Sequence, residues 1–104
     1  MIFQHIWQQV IRGRKTRTTR VGLKRVPRVG QTIAVQPGRG KKAVCRVLVI
    51  RVEKVEHARD SVVHSRPEEG FASRHEAIDT WRAMHGDYNG PAVAITFRLV
   101  EDGK

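Results

Sequence analysis

The spacing of apolar residues predicts two helices. Near the start of the chain, apolar residues recur at steps of three and four, as on one face of an amphipathic helix of about ten residues. These residues are Phe3, Ile6, Trp7, Val10 and Ile11, and Gly13 follows as a C-terminal cap. A second helix opens at Ser73, with Glu76 completing a capping box, and ends at Gly86. Its predicted apolar face is Ala77, Ile78, Trp81 and Met84.

Alternation of polar and apolar positions, with many β-branched residues, predicts strands. The longest, 43–55, is apolar on both faces at 47–50. A strand buried on both sides at its middle has this pattern, and so does a strand that curls through a barrel. Strands are predicted at 15–21, 32–36, 43–55, 62–63 and 92–100, the last with Val93, Ile95, Phe97 and Leu99 on one face.

The order of these elements indicates a mixed α/β (α+β) fold. We expect a small, partly open or closed β-barrel of about five or six strands, flanked by two main helices. A glycine- and proline-containing loop at 22–31 and a turn at 37–42 connect its first strands. The 104 residues leave room for one core, so residues 1–104 are predicted to form a single domain.

Several classes of protein are disfavoured by composition. The apolar run at 47–50 is far too short to span a bilayer, and the first residues lack the basic-then-apolar order of a secretory signal. Cys45 is the only cysteine, which excludes an internal disulfide and suggests a buried, inert thiol. We expect a cytoplasmic protein with no membrane partner, acting as a monomer or, alternatively, a dimer.

Positive charge is concentrated in the first half of the chain. Residues 1–55 contain 14 Lys and Arg and one acid, whereas residues 56–104 contain 6 and 9, giving about +13 and −3. Such asymmetry favours a polyanionic partner, most simply nucleic acid. Docking of the basic half to an acidic protein is a further alternative.

The segment RGRKTRTTRV (12–21) holds five cationic residues, three threonines and no acid. It is typical of an exposed basic strand, but a catalytic interpretation is also open. Thr18 would be the nucleophile and Lys15 its base, with a pKa lowered by desolvation or by the neighbouring arginines. Because these two residues are three apart, a regular strand would send them to opposite faces. The catalytic interpretation therefore requires a turn or bulge near 16–17, or a Lys15 that precedes the strand.

Other candidate motifs are weak. PGRGKK (37–42) lacks the spacing of a phosphate-binding P-loop and is followed by a strand, so we interpret it as a basic hairpin tip. The five histidines show no convincing metal spacing, although His75 and Asp79 are one helical turn apart. We expect no metal and no cofactor. Trp7 and Trp81 lie on apolar helix faces and are expected in the core.

Gly13, Lys15 and Arg20 match a motif of the ASCH domain family: Gly, any residue, Lys, two of any, Glu, any residue, Arg. The chain also resembles this family in its VGQTIAV segment (29–35), in Glu69-Gly70-Phe71 before a helix with Trp81, and in the final ITFRLV strand (95–100). The resemblance covers nearly the whole chain. It implies a PUA-like β-barrel that binds RNA or nucleotides in the cleft beside the motif.

The chain departs from the motif at Thr18, where the family has Glu. This departure resembles a small bacterial subgroup of ASCH amidohydrolases, which remove the acetyl group from cytidine acetylated on its exocyclic amine. The resemblance implies Thr18 as nucleophile, assisted by Lys15, with Glu69 completing the site.

Two functions thus remain open, with RNA or a modified nucleoside as the partner. One is an RNA- or nucleotide-binding module with a basic cleft. Its predicted ligand-binding residues are Arg14, Lys15, Arg17, Arg20, Lys24, Arg25, Lys41 and Lys42. The other is an amidohydrolase acting on N-acetylated cytidine. Binding through phosphates weakens steeply as salt rises, whereas hydrolysis of an uncharged nucleoside is almost indifferent to salt.

Overall fold

A computed structural model describes residues 1, 3 and 7–101, and in them it contains three helices and four strands. In chain order these are α1 (Trp7–Ile11), β1 (Arg17–Arg20), β2 (Thr32–Val35), β3 (Cys45–Val55), α2 (Ala58–His64), α3 (Arg74–His85) and β4 (Ala92–Glu101). The mixed α/β class is confirmed. The described part of the chain has four strands, where five or six were predicted.

The strands form one antiparallel sheet in the order β1-β4-β3-β2, curled into a half-barrel. The long strands β3 and β4 lie at its centre and pair over most of their length, with Val52 opposite Ile95. β1 pairs with β4, Thr18 lying opposite Ile95. On its other side β1 has no partner strand among the described residues, so its backbone donors must be satisfied in another way.

The run of four consecutive apolar residues at 47–50 has a local cause. Val47 and Val49 are buried, whereas Ile50 is 47% exposed, and the register with β4 shifts between Val49 and Arg51. An extra residue at a bulge interrupts the alternation and bends the strand. The prediction of a curling strand is therefore correct, and the alternative prediction of a strand buried on both faces is wrong.

Of the predicted N-terminal helix, residues 4–6 lie outside the described residues, and 7–11 form α1. Phe3, expected on its apolar face, lies outside α1, and its N–H donates to the Gln36 carbonyl at 2.8 Å. Ile6 lies outside the described residues. Gly13 adopts a positive φ of 71° just after α1, as a residue that ends a helix often does.

The strand predicted at 62–63 is wrong, because both valines belong to α2. Ala58 and Val62 are one turn apart on this helix, and both are buried against a second apolar cluster. The Ser73 cap is confirmed, since its hydroxyl accepts the Glu76 N–H at 3.2 Å. The Glu76 carboxylate instead accepts the Ala72 N–H at 3.4 Å. Met84, expected on the apolar face of α3, is 63% exposed.

Two apolar clusters pack on the sheet. One comprises Phe3, Val10, Val35, Cys45, Val47, Val49, Ile95 and Phe97. The other, beside the helices, comprises Ala58, Val62, Phe71, Ala77 and Trp81. Trp7 packs against the first cluster, so core packing is confirmed for both tryptophans. Among the described residues, no helix has the length and hydropathy needed to cross a bilayer.

Candidate functional site

Lys15 lies just before β1, and its side chain is almost fully buried. Its Nζ donates to the main-chain carbonyl of Glu69 at 2.7 Å and lies 3.5 Å from Glu69 Oε1. The next two N–H groups, of Thr16 and Arg17, both donate to the Glu68 carbonyl, so regular pairing of β1 with β4 begins only at Arg17. This is the irregularity that the catalytic interpretation required.

Thr18 and Arg20 are two apart on β1, and their side chains meet. Arg20 Nε donates to Thr18 Oγ1 at 3.0 Å, as expected for residues on the same side of a strand. The Arg20 guanidinium also stacks over the Phe3 ring, 4.7 Å from its centroid. The Thr18 hydroxyl is thus held beside a cation in a buried position.

Glu69 supplies the carboxylate, and only 2% of the residue is exposed. Its Oε2 accepts the Thr19 hydroxyl at 2.6 Å, and its Oε1 accepts the Thr19 N–H at 3.2 Å. Glu68, its neighbour, is exposed and contributes only its carbonyl to β1. Thr19 was not among the predicted site residues. Its position directly after Thr18, in a motif without an acid, was the signal that could have identified it.

Gly70 lets the chain pass close to Lys15. Its φ is +93°, and a Cβ there would lie 3.3 Å from the Lys15 Cβ. A glycine at this position therefore brings Glu69 and Lys15 together without strain.

Arg17 was predicted to bind a ligand, but it does not line the pocket described below. Its Nη1 donates to Glu53 Oε1 and its Nη2 to Ser61 Oγ, both at 2.8 Å. Its Nε lies 3.5 Å from Glu69 Oε2, at ion-pair distance without a hydrogen bond. The guanidinium therefore links β1, β3 and α2 to the Glu69 carboxylate.

Lys15, Thr18, Arg20 and Glu69 all line one pocket of about 360 Å³. Its walls are mainly apolar and aromatic, with Phe71 and Trp81 among them. The His85 ring packs on Trp81, with 4.2 Å between centroids, and Trp81 Nε1 is held by the Tyr88 carbonyl at 2.8 Å. The further lining residues are Phe3, Thr19, Val21, Leu23, Val62, Thr80 and Met84.

Burial changes the acidity of the pocket cations. It lowers the pKa of Lys15 to about 8; the nearby Arg20 charge acts in the same direction, and Glu69 opposes it. Burial also lowers the pKa of Arg20, against the effect of Glu69, and that of His85, which Arg20 lowers further. Desolvation and the neighbouring arginines were both expected to lower the Lys15 pKa, and desolvation is the larger cause.

The remaining predicted ligand-binding residues do not enter the pocket. Arg14, Lys24, Arg25, Lys41 and Lys42 are all exposed. Lys41 and Lys42 are the last two residues of the turn at 37–42, which connects β2 and β3 as predicted. Arg25 lines a separate open groove that also reaches Arg20.

Within the described residues, no group of His, Cys, Asp or Glu is suited to hold a metal ion. His75 and Asp79 are exposed and in contact, with 3.4 Å between Nε2 and Oδ2. His5 lies outside the described residues.

No protein-family model and no curated protein sequence matches this chain significantly. Similarity is found among solved structures. The ASCH protein from Zymomonas mobilis superposes with a TM-score of 0.72, at 13% identity, over 94% of this chain and 64% of its own. The chain thus spans just under two thirds of the length of that protein.

Two other structures give the same result. The ASCH domain from Lactobacillus crispatus matches with a TM-score of 0.65, at 16% identity, over 90% of this chain and 69% of its own. The hypothetical protein PH0355 matches with a TM-score of 0.70, at 17% identity, over 96% of both chains. The ASCH-like fold expected from the sequence is therefore confirmed.

Proposed function

We propose that this chain uses its ASCH-like fold as an amidohydrolase that removes the acyl group from the exocyclic amine of a pyrimidine nucleoside, with N-acetylated cytidine as the substrate class. The observation that carries this proposal is the convergence of Lys15, Thr18 and Glu69 on one pocket. These are the residues that the resemblance implied for such an enzyme.

In the first step, the neutral Lys15 amine takes the proton of the Thr18 hydroxyl. Thr18 Oγ1 then forms a bond to the acyl carbon. When the tetrahedral intermediate collapses, the bond between the acyl carbon and the exocyclic nitrogen breaks. The leaving amine takes the proton held by Lys15. In the second step, water hydrolyses the threonine ester with Lys15 again as the base, which releases the carboxylate and restores the hydroxyl.

A lysine suits this role only when its pKa is low. With the Lys15 pKa at about 8, about one tenth of the molecules carry a neutral amine at neutral pH. The neutral amine has two N–H groups, one for each of the two Glu69 oxygens near it. Its lone pair therefore remains available to accept the Thr18 proton. Glu69 thus orients the base.

Arg20 supports the nucleophile. Its Nε–H points at Thr18 Oγ1, where negative charge develops as the hydroxyl loses its proton. A donor already in place for that charge stabilises the transition state without reorganisation.

The pocket walls fit a nucleoside base. A volume of about 360 Å³ lies in the range of small-molecule sites, and Phe71 and Trp81 offer aromatic surfaces for a planar ring. A pocket of this volume accommodates one base.

The second candidate function is RNA or nucleotide binding without catalysis. The observation that favours it is the exposure of Arg14, Lys24, Arg25, Lys41 and Lys42, all in the half of the chain that has one acid. Exposed cations of this kind contact phosphates without reading a base.

The decisive experiment is a chromatographic assay of purified protein with N-acetylcytidine. We expect turnover in the native protein and a loss of at least about a hundredfold in Thr18→Ala and Lys15→Met. Thr18→Ser, which keeps a hydroxyl, should retain part of the activity. Thr96→Val, on the neighbouring strand, serves as the matched control and should leave turnover unchanged.

Two results would overturn the proposal. One is the absence of turnover in a folded native protein. The other is equal turnover in native protein and Thr18→Ala, which would identify a contaminant or a different nucleophile. In either case nucleic-acid binding becomes the leading function, and a salt titration of RNA affinity tests it.

A further inference from the structure

An open groove lies beside the pocket, with a volume of about 940 Å³. We refer to it as the loop groove, because the 22–31 loop forms one of its walls. Arg20 and Leu23 line both the loop groove and the pocket, so the two cavities adjoin. The polar side chains of the groove come from Arg20, Arg25, Arg28, Gln31 and Gln36.

The loop groove is strongly cationic. Three arginines line it, and among the described residues no carboxylate does. The Arg25 and Arg28 side chains are exposed, so their guanidinium groups can reach a ligand without losing a buried contact. A guanidinium presents two parallel N–H donors, a geometry that matches phosphate oxygens.

The end of the loop, at residues 28–31, is hydrogen-bonded to β3 and to itself. Gly30 N–H donates to the Val49 carbonyl at 2.8 Å, and Val49 N–H donates to the Gln31 carbonyl at 2.9 Å. The Gln31 side chain in turn accepts the Arg28 N–H at 3.1 Å. These bonds tie the end of the loop, next to Arg28, to β3, so less entropy is lost there when a ligand binds.

We infer that the loop groove is a phosphate subsite, and that the substrate of the neighbouring pocket is an acylated pyrimidine nucleotide instead of a free nucleoside. The base would occupy the pocket, and its phosphate would lie between Arg25 and Arg28. This inference rests on the proposed function for the identity of the base. An uncharged nucleoside in the pocket would leave the cationic groove beside it without a ligand group.

The test measures binding by calorimetry with unacylated ligands, so it does not depend on turnover. The ligands are cytidine, cytidine 5′-monophosphate, cytidine 3′-monophosphate and a short cytidine oligonucleotide. The double variant Arg25→Gln/Arg28→Gln removes two positive charges from the groove. Arg46→Gln/Arg98→Gln removes two from exposed positions that line neither cavity and is the matched control.

We expect the native protein to bind one of the monophosphates at least about tenfold more tightly than cytidine, as for a charge-assisted contact. The preference should fall to about one in Arg25→Gln/Arg28→Gln and persist in the control, and added salt should weaken it. If the oligonucleotide binds more tightly than the monophosphates, a nucleic-acid chain is the source of the phosphate. If the oligonucleotide and the monophosphates bind equally tightly, the source is a mononucleotide.

Equal affinity for cytidine and both monophosphates would overturn the inference. So would a preference that Arg25→Gln/Arg28→Gln retains, or that both double variants lose equally. If acyl nucleosides and nucleotides are not hydrolysed but the Arg25- and Arg28-dependent preference is present, the proposed reaction fails while the subsite stands. If hydrolysis is observed but no phosphate preference is found, the proposed reaction stands and the phosphate subsite fails.

Discussion

Glu69 binds Thr19 at two points, through the hydroxyl at 2.6 Å and the N–H at 3.2 Å. The second contact satisfies a backbone donor on the unpaired side of β1. The same carboxylate approaches Lys15 at 3.5 Å. The fold and the site thus depend on one side chain, whose position fixes that of the proposed base.

Removal of the Thr19 hydroxyl should therefore weaken both stability and turnover. We expect Thr19→Val to lower the free energy of unfolding by about 2 kcal/mol, because a buried bond to a carboxylate is lost, and to lower kcat. Urea denaturation and the hydrolysis assay measure the two effects. Thr96→Val, the same change on β4, should alter stability by less than about 0.5 kcal/mol; equal effects of the two variants would contradict the role of Thr19.

The pH dependence of turnover should report Lys15. Because the proposed base acts only when neutral, kcat/KM for an uncharged nucleoside should rise about tenfold per pH unit and level off above the Lys15 pKa of about 8. The other titratable groups of the pocket are Glu69, Arg20 and His85. Burial and Arg20 lower the pKa of His85, so that ring is already neutral where Lys15 titrates.

Two variants separate these groups. Lys15→Arg, which cannot lose its proton, should abolish the rise, and His85→Gln should retain it. A rate that stays constant across this range in the native protein would exclude Lys15 as the base.

Gly70→Ala should disturb the site as well as the backbone. A methyl group there would meet the Lys15 Cβ at 3.3 Å, in addition to the strain of a positive φ. Gly40→Ala shares a positive φ but meets no atom within 4 Å. We expect each variant to lose about 1 kcal/mol from backbone strain and Gly70→Ala alone to lose turnover. Similar activity in both would show that the contact with Lys15 is unimportant.

Arg17 should act as a positioning residue for Glu69. We expect Arg17→Met to lower kcat with little change in KM, because the guanidinium holds the carboxylate but does not line the pocket. A merely structural role would leave the kinetics of the folded fraction unchanged. Arg17→Lys should restore part of the activity.

Arg51 provides a control for Arg17, because both residues contact the Glu53 carboxylate. Arg51 lies 3.3 Å from Glu53 but is 69% exposed, and exposed ion pairs contribute little. Arg51→Met should leave kcat and stability nearly unchanged. A double-mutant cycle with Glu53→Gln should show coupling to Arg17 and none to Arg51.

Local patterns predicted most of the fold. The strands at 32–36, 43–55 and 92–100 and the helix after Ser73 lie within one or two residues of their predicted bounds, because their patterns are long or have clear end signals. Helix α2 was missed because adjacent β-branched valines favour a strand, while the burial that makes the segment helical depends on distant residues.

The sequence pointed to residues that come together at one pocket, but not to all of their contacts. The basic motif pointed to Lys15 and Thr18, whose spacing required an irregularity near 16–17, and the family resemblance implied Glu69. Sequence analysis placed Arg17 among ligand-binding residues, since a run of basic residues does not show which one faces an internal acid. Pairing with Glu53 and Glu69 is a tertiary property, and so is the burial that lowers the Lys15 pKa.

The unpaired side of β1 has a consequence for how the protein is made. Lys15 and its Glu69 partner are 54 positions apart, and β1 pairs only with β4, which follows all the other described elements in the chain. Contacts at such separations form late, because loop closure opposes them. During translation the GRKTRTTR segment therefore cannot complete its pairing until β4 has left the ribosome.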